Sequence, residues 1–215
     1  MERVYCLLIG YGFGLFQTAY LYGKMKGIDI REYGSGNAGT TNSLRVLGKK
    51  AGFIVLLGDI FKTILAVITS RLLFGKSNPE MMYLLAFYAA TGAILGHNFP
   101  FYLKFKGGKG IAATAGLILS FHWIFAIVAV PLFFGTFFLT HFVSLGSLLV
   151  YAAFFIEIVI VGQLGFFQMS QPHLNELYVL AFFLTAMAYY KHSGNIVRLI
   201  HKEERKTYLT KKSEQ

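Results

Sequence analysis

IAATAGLILSFHWIFAIVAVPLFFGTFFL, residues 111–139, decides how this chain is read. The run is apolar for too long to be one simple membrane span. A polar interruption, Ser120-Phe121-His122, lies near its first third. A helix crossing a bilayer needs about 20 apolar residues, within about 17 to 25. Five other runs fit that size: Val4–Tyr22, Ala51–Phe74, Met81–Gly96, Val143–Gly162 and Leu174–Tyr190. Asp59, Lys62 and Arg71 interrupt the second of them.

Charge decides whether 111–139 crosses once or twice. Most of the chain's 20 lysines and arginines fall in three segments. Residues 23–50 hold Lys24, Lys26, Arg31, Arg45, Lys49 and Lys50, and residues 97–110 hold Lys104, Lys106 and Lys109. The tail holds Lys191, Arg198, Lys202, Arg205, Lys206, Lys211 and Lys212. Between the other spans, 75–80 has only Lys76 and 163–173 has no basic residue. Basic loops stay on the cytoplasmic side, so all three rich segments belong inside. An even number of crossings must then separate loop 97–110 from the tail. That requires a break near Phe121-His122 and two crossings, whereas a re-entrant segment would leave the tail outside.

The expected fold is an all-α integral membrane protein with seven transmembrane helices, N-terminus outside and C-terminus cytoplasmic. Residues 1–192 form the membrane domain and 193–215 a basic, soluble tail. The fourth helix, about 108–120, is short for a full span. It must tilt, or sit where the bilayer is locally thin.

Composition agrees. The chain is 55% hydrophobic and 17% aromatic, with 14% charged residues, against about 25% charged in soluble domains. The net charge of +10 is distributed among membrane-flanking loops, which argues for a membrane setting and against nucleic acid. The single cysteine, Cys6, excludes an internal disulfide. Val4–Tyr22 has only a weak basic start and is followed by no small-residue cleavage site, unlike a secretory leader.

Crossing parity gathers four polar segments on the inner face. GSGNAGTTNSLR, 34–45, matches G-x-G-x-x-G, but no strand precedes it, and the P-loop lysine is replaced by Thr40. Nucleotide readings therefore fail. Glycines still let backbone N–H groups converge on an anion, and Arg45 follows. GHNFPFYLKFKGGKG, 96–110, sets Gly107 and Gly108 between Lys106 and Lys109, just before a helix. That is a phosphate cradle in composition. KHSGNIVR, 191–198, puts His192 and Asn195 on one helix face, and histidine exchanges protons at cell pH. THFVSLGS, 140–147, is the fourth segment. Within the spans, Asp59 and Lys62 are spaced to pair, and Glu157 has no evident local partner.

Together, residues 34–52, 96–110 and 189–200, with a weaker match at VSLGS (143–147), resemble the bacterial membrane glycerol-3-phosphate acyltransferase family, PlsY. The resemblance implies seven helices and a cytoplasm-facing active site in the bacterial inner membrane. It implies transfer of an acyl chain from acyl phosphate to the 1-hydroxyl of glycerol 3-phosphate. The products are lysophosphatidic acid and phosphate, in phospholipid synthesis. No cofactor and no metal are implied. Expected partners are acyl phosphate, glycerol 3-phosphate, membrane lipid and the soluble enzyme that forms acyl phosphate.

Carried over by residue, Ser35, Asn37, Thr41 and Asn42 line the phosphate sites, and Arg45 binds the acceptor's phosphate. Lys106 and Lys109 neutralise phosphate, while Gly107 and Gly108 supply close backbone. His192 and Asn195 hold the glycerol hydroxyls, and Ser144 and Ser147 contact acyl phosphate. His192 or the donor's phosphate takes the proton, with a covalent acyl-Ser35 as a further option. His192, Asn195 and Ser35 are thus the catalytic candidates. The chain departs from the family at His141, where Arg or Lys is usual before the Ser-Leu pair. It also departs at Ser193-Gly194, usually charged, and at Thr63, usually glycine. Two rivals remain. Acyl-coenzyme A enzymes use His-x4-Asp, and none of the six histidines has aspartate at that spacing. A transporter for a phosphorylated solute would put its polar site near the bilayer midplane.

Overall fold

The computed structural model describes residues 1–208, so the expected tail lysines Lys211 and Lys212 lie outside the described residues. Among the described residues the chain is helical and has no strand. The helices are α1 (Glu2–Gly14), α2 (Thr18–Met25), α3 (Thr40–Leu47), α4 (Lys49–Phe74) and α5 (Met82–Asn98). They continue as α6 (Ile111–Phe121), α7 (Ile124–Thr140), α8 (Val143–Gln163), α9 (Gln171–Lys191) and α10 (Ser193–Ile200).

The run 111–139 is two helices. His122 is extended (φ −163°, ψ 138°) and ends α6. Arg71, from the last turn of α4, donates to the freed Phe121 carbonyl at 2.8 Å. His122 Nδ1 accepts from the Ile124 amide, which opens α7, at 3.3 Å. The break is stable because these orphaned helix-end groups find partners. Three stretches are long and apolar enough to cross a membrane: Glu2–Met25, which contains the α1–α2 break, Lys49–Phe74 and Val143–Gln163. Helices also occupy each of the other apolar runs.

Small residues let α1 and α5 touch backbone to backbone. Gly10 and Gly14 face Ala89 and Ala93, and a Cβ at Gly10 would strike the Ala89 carbonyl. In lipid such close packing substitutes for a hydrophobic driving force. The main core lies on the other side of α5, around Phe87, Phe121, Phe125 and Phe154.

Helix lengths make the recess for the site. At 1.5 Å per residue, α4 is about 39 Å long, α5 about 26 Å and α6 about 16 Å. Asp59, about 15 Å along α4 from Lys49, lies 3.6 Å from His97 near the end of α5. The C-terminal end of α5 therefore stops well short of the N-terminal end of α4. The loop 99–110 and a cavity occupy that space.

Candidate functional site

A cavity of about 410 Å³ opens where the α2–α3 loop, the α5–α6 loop, the start of α8 and the α9–α10 junction meet. The α2–α3 loop is built on Asn42, which is 1% exposed. Its Nδ2 donates to the Ile30 and Tyr33 carbonyls at 3.1 and 3.0 Å, and its Oδ1 accepts from the Ser35 amide at 2.8 Å. Gly34 passes so close, with φ +63°, that a Cβ would collide with the Asn42 side chain. Asn42 borders the cavity, but its polar atoms hold the loop. This differs from the expected phosphate contact, because a buried amide must satisfy its hydrogen bonds locally. Ser35, Asn37 and Thr41 also line the cavity, with Thr41 in the first turn of α3. First-turn amides lack intrahelical acceptors, so this wall offers donors.

The second loop divides. Lys109 lines the cavity, and its ammonium donates to Asn195 Oδ1. Burial, with Arg198, Lys191 and Arg45 nearby, pushes Lys109 down to about 8 against the pull of Glu204. Lys106 is exposed and does not line the cavity. Nor do Gly107 and Gly108. Their amides donate to the Asn98 and His97 carbonyls at 3.2 and 3.1 Å. A Cβ on either would run into His97. Their close backbone approach is to the end of α5, whereas the expectation for Lys106, Gly107 and Gly108 was contact with phosphate.

His192 and Asn195 face the cavity from the α9–α10 junction. His192 Nδ1 lies 2.8 Å from the Ala188 carbonyl, which assigns the proton to Nδ1 and leaves the Nε2 lone pair free. Burial, helped by Lys109 and Lys191, pushes His192 down to about 4 despite that bond and Glu204. The ring is neutral at cell pH. Ser144 and Ser147 line the α8 side; Ser147 Oγ bonds back to the Val143 carbonyl at 2.7 Å, within its own helix.

The expected soluble tail does not leave the molecule. Residues 193–208 form α10 and then a strap that returns across the site. Glu204 accepts from Ser144 Oγ at 2.8 Å, Asn195 Nδ2 at 2.6 Å and Arg198 Nε at 2.8 Å. Burial pushes its carboxyl up, but these three bonds outweigh that and hold it below the usual glutamate value. Arg45 donates to Thr207 Oγ1 at 2.7 Å and to the Arg205 carbonyl at 3.2 Å. The Thr207 amide donates to the His141 carbonyl at 2.9 Å, and Tyr208 packs on the His141 ring. In all, Arg45, Lys109, Lys191, Arg198 and Arg205 line the cavity against Asp59 and Glu204. Ile111, Ala112 and Val143 supply an apolar wall. Glu204 and Arg205 were not singled out in the sequence. Asp59 was marked there only by its spacing to Lys62, and His97, with Asn98, was open between a helix-end cap and a site residue.

Comparison with known proteins places this geometry. Residues 4–202 match the glycerol-3-phosphate acyltransferase family model. Glycerol-3-phosphate acyltransferase 2 of a Bacillus cereus strain is 39% identical over 99% of each chain. Glycerol-3-phosphate acyltransferase of Bacillus subtilis (strain 168) is 38% identical over 93% of this chain and 95% of its own. The crystal structure of PlsY (YgiH), an integral membrane glycerol 3-phosphate acyltransferase, in its glycerol 3-phosphate form superimposes with a TM-score of 0.82. It is 27% identical, over 97% of this chain and 96% of that one. The lysophosphatidic acid form gives a TM-score of 0.79 at 26% identity, over 97% of both. The cationic recess therefore belongs to a member of the PlsY glycerol-3-phosphate acyltransferase family.

Proposed function

We propose that this protein transfers an acyl chain from acyl phosphate to the 1-hydroxyl of glycerol 3-phosphate, releasing lysophosphatidic acid and inorganic phosphate. One observation carries the reading. Five cationic side chains and two acids line a cavity whose wall also turns apolar. Two phosphorylated substrates bring about four negative charges, and the lining's surplus of three cations offsets most of them. An acyl chain needs the apolar exit.

In this reading Arg45, Lys109 and Arg198 hold the phosphates, with Ser35, Asn37, Thr41 and Ser144 as neutral donors. Ser147 shapes the same wall. Asn195 and His192 orient the glycerol. The acceptor's hydroxyl oxygen attacks the acyl carbonyl carbon, and the carbonyl pair moves to its oxygen. Collapse then breaks the bond to the phosphate oxygen, and phosphate departs. His192 Nε2 accepts the hydrogen bond of the attacking hydroxyl. Because the ring sits at about 4, the departing phosphate is the better final home for the proton. Binding both substrates side by side can supply about 7 to 11 kcal/mol of the barrier.

The same proposal includes the setting. The basic loops face the cytoplasm, seven helices cross the bacterial inner membrane, and the N-terminus lies outside. The soluble enzyme that forms acyl phosphate docks on the inner face. A donor swap tests the reaction. Purified protein with glycerol 3-phosphate should turn over acyl phosphate and leave acyl-coenzyme A untouched. Turnover of acyl-coenzyme A alone would contradict it. A pH–rate profile of His192→Ala tests the proton route. Loss of an acidic limb would make His192 the base, whereas a slower rate of unchanged pH shape supports positioning.

A further inference from the structure

Behind the cavity, three elements meet at one buried ammonium. Lys62 of α4 is 4% exposed. Its three protons have three acceptors: Asp59 Oδ1 at 2.8 Å, the Phe16 carbonyl at 2.9 Å and His97 Nδ1 at 2.9 Å. Thr18 Oγ1 donates to the same Asp59 oxygen at 3.1 Å. An ammonium offers only donors, so His97 Nδ1 must accept. The proton of the neutral ring is then on Nε2, since each ring nitrogen's state is set by the partner of the other.

The ring is also held in place. Gln17 is buried between α1 and α2 and donates to the Gly96 and His97 carbonyls at 3.0 and 3.2 Å. The Gly107 and Gly108 amides pin the Asn98 and His97 carbonyls from the other side. His97 is 3% exposed and lines the cavity. Among the described residues its hydrogen bonds run through Nδ1 to Lys62 and through its carbonyl, and Nε2 has no partner. Gly108 backs onto the same edge of the ring so closely that a Cβ there would strike Nε2. A buried polar ring in a fixed orientation, with its one N–H unmatched beside a substrate-sized cavity, calls for an external acceptor.

We propose that His97 is a catalytic donor, its Nε2–H meeting the carbonyl oxygen of the acyl donor, with Lys62 and Asp59 as positioning residues that set its tautomer. The choice of the carbonyl rests on the proposed reaction. The phosphates have Arg45 of α3, Arg198 of α10, Arg205 of the strap and Lys109 before α6. His97 shares the lining with the apolar Ile111 and Ala112 at the start of α6. An uncharged donor suits an oxygen that is neutral before attack and gains charge during it, because such a bond strengthens in the transition state.

Two variants separate chemistry from packing. Glutamine places its Nε2 near the position of the histidine Nε2 and keeps a donor, whereas leucine removes it. His97→Leu should lose about a hundredfold in kcat, with KM for glycerol 3-phosphate within about threefold of wild type. His97→Gln should recover about tenfold or more of that loss. Unchanged kcat in His97→Leu, or equal loss in both variants at equal melting temperature, overturns the proposal.

A second measurement avoids folding failures. In wild-type protein labelled with 15N-histidine, His97 should show the Nε2–H tautomer by NMR. Its Nε2–H proton should shift on adding a β-ketophosphonate, which keeps the carbonyl and a phosphonate anion but cannot release phosphate. An Nδ1–H tautomer, or a shift with glycerol 3-phosphate and none with the ketophosphonate, contradicts the assignment. Wild-type protein that releases no phosphate from acyl phosphate would sink the proposed reaction, while the tautomer still reads the Lys62 network.

Discussion

Two carboxylates, near opposite ends of α9, each accept three hydrogen bonds and yet have different surroundings. Glu176, near the start of α9, accepts from Arg3 Nε at 2.6 Å, Arg3 Nη2 at 2.9 Å and Tyr88 OH at 2.6 Å. Glu204, on the strap beyond α10, accepts from Ser144, Asn195 and Arg198. At the first, one acid meets one base, α1, α5 and α9 are clamped together, and neither residue borders the site cavity. At the second, Glu204 and one further acid, Asp59, stand among five cations around a cavity. The number of bonds is the same, so bond counting does not separate a clamp from a site. The charge balance around the carboxylate does. A balanced pair ends an electrostatic account, and a surplus leaves room for an anionic ligand.

Removing part of the surplus should have the largest effect. Lys109→Ala should lower kcat/KM for acyl transfer about 10²- to 10³-fold, read as phosphate release. Activity near wild type would mean that the cation surplus is incidental.

Glu204→Ala and Glu176→Ala test the contrast itself. Glu204→Ala frees Asn195, Ser144 and Arg198 and loosens the strap. KM for glycerol 3-phosphate should then change roughly tenfold, or about 1.4 kcal/mol, and the melting temperature should fall. Glu176→Ala leaves Arg3 partly buried without its partner, which costs about 1 kcal/mol or more. That is a fall of about 2–4 °C in a chain of this size, with KM unchanged. If the two variants behave alike, the distinction between clamp and site fails.

An effect on stability alone comes from His192. Its folded value of about 4 lies below the usual 6.5, so the unfolded chain takes up the proton first. Stability should therefore fall as pH drops from about 6.5 towards about 4. His192→Ala should lack that part of the decline in melting curves. The smallest effect belongs to Lys106→Ala. Lys106 is exposed and outside the cavity, so activity should stay within about twofold.

Much of the fold was legible. The break at His122 followed from counting basic loops, because the membrane turns charge placement into topology. The Asp59–Lys62 pair followed from helical spacing. The strap was not legible. Lys-Glu-Glu-Arg-Lys, 202–206, has the composition of a solvated tail, and Ser144, the partner of Glu204, lies 60 positions back. Likewise Asn42, Gly107 and Gly108 sit in polar runs that read as ligand contacts. Only packing shows that their hydrogen bonds go to backbone carbonyls and amides of neighbouring turns. Sequence placed the polar segments on one face, but it could not separate the groups that hold the loops from those that face the cavity.

The most direct test incubates purified protein with acyl phosphate and glycerol 3-phosphate and measures phosphate and lipid product together. The account predicts one phosphate released for each lysophosphatidic acid formed, with no release when glycerol 3-phosphate is omitted. Glycerol 3-phosphate that accumulates unchanged in vesicles, with no phosphate released, would contradict it.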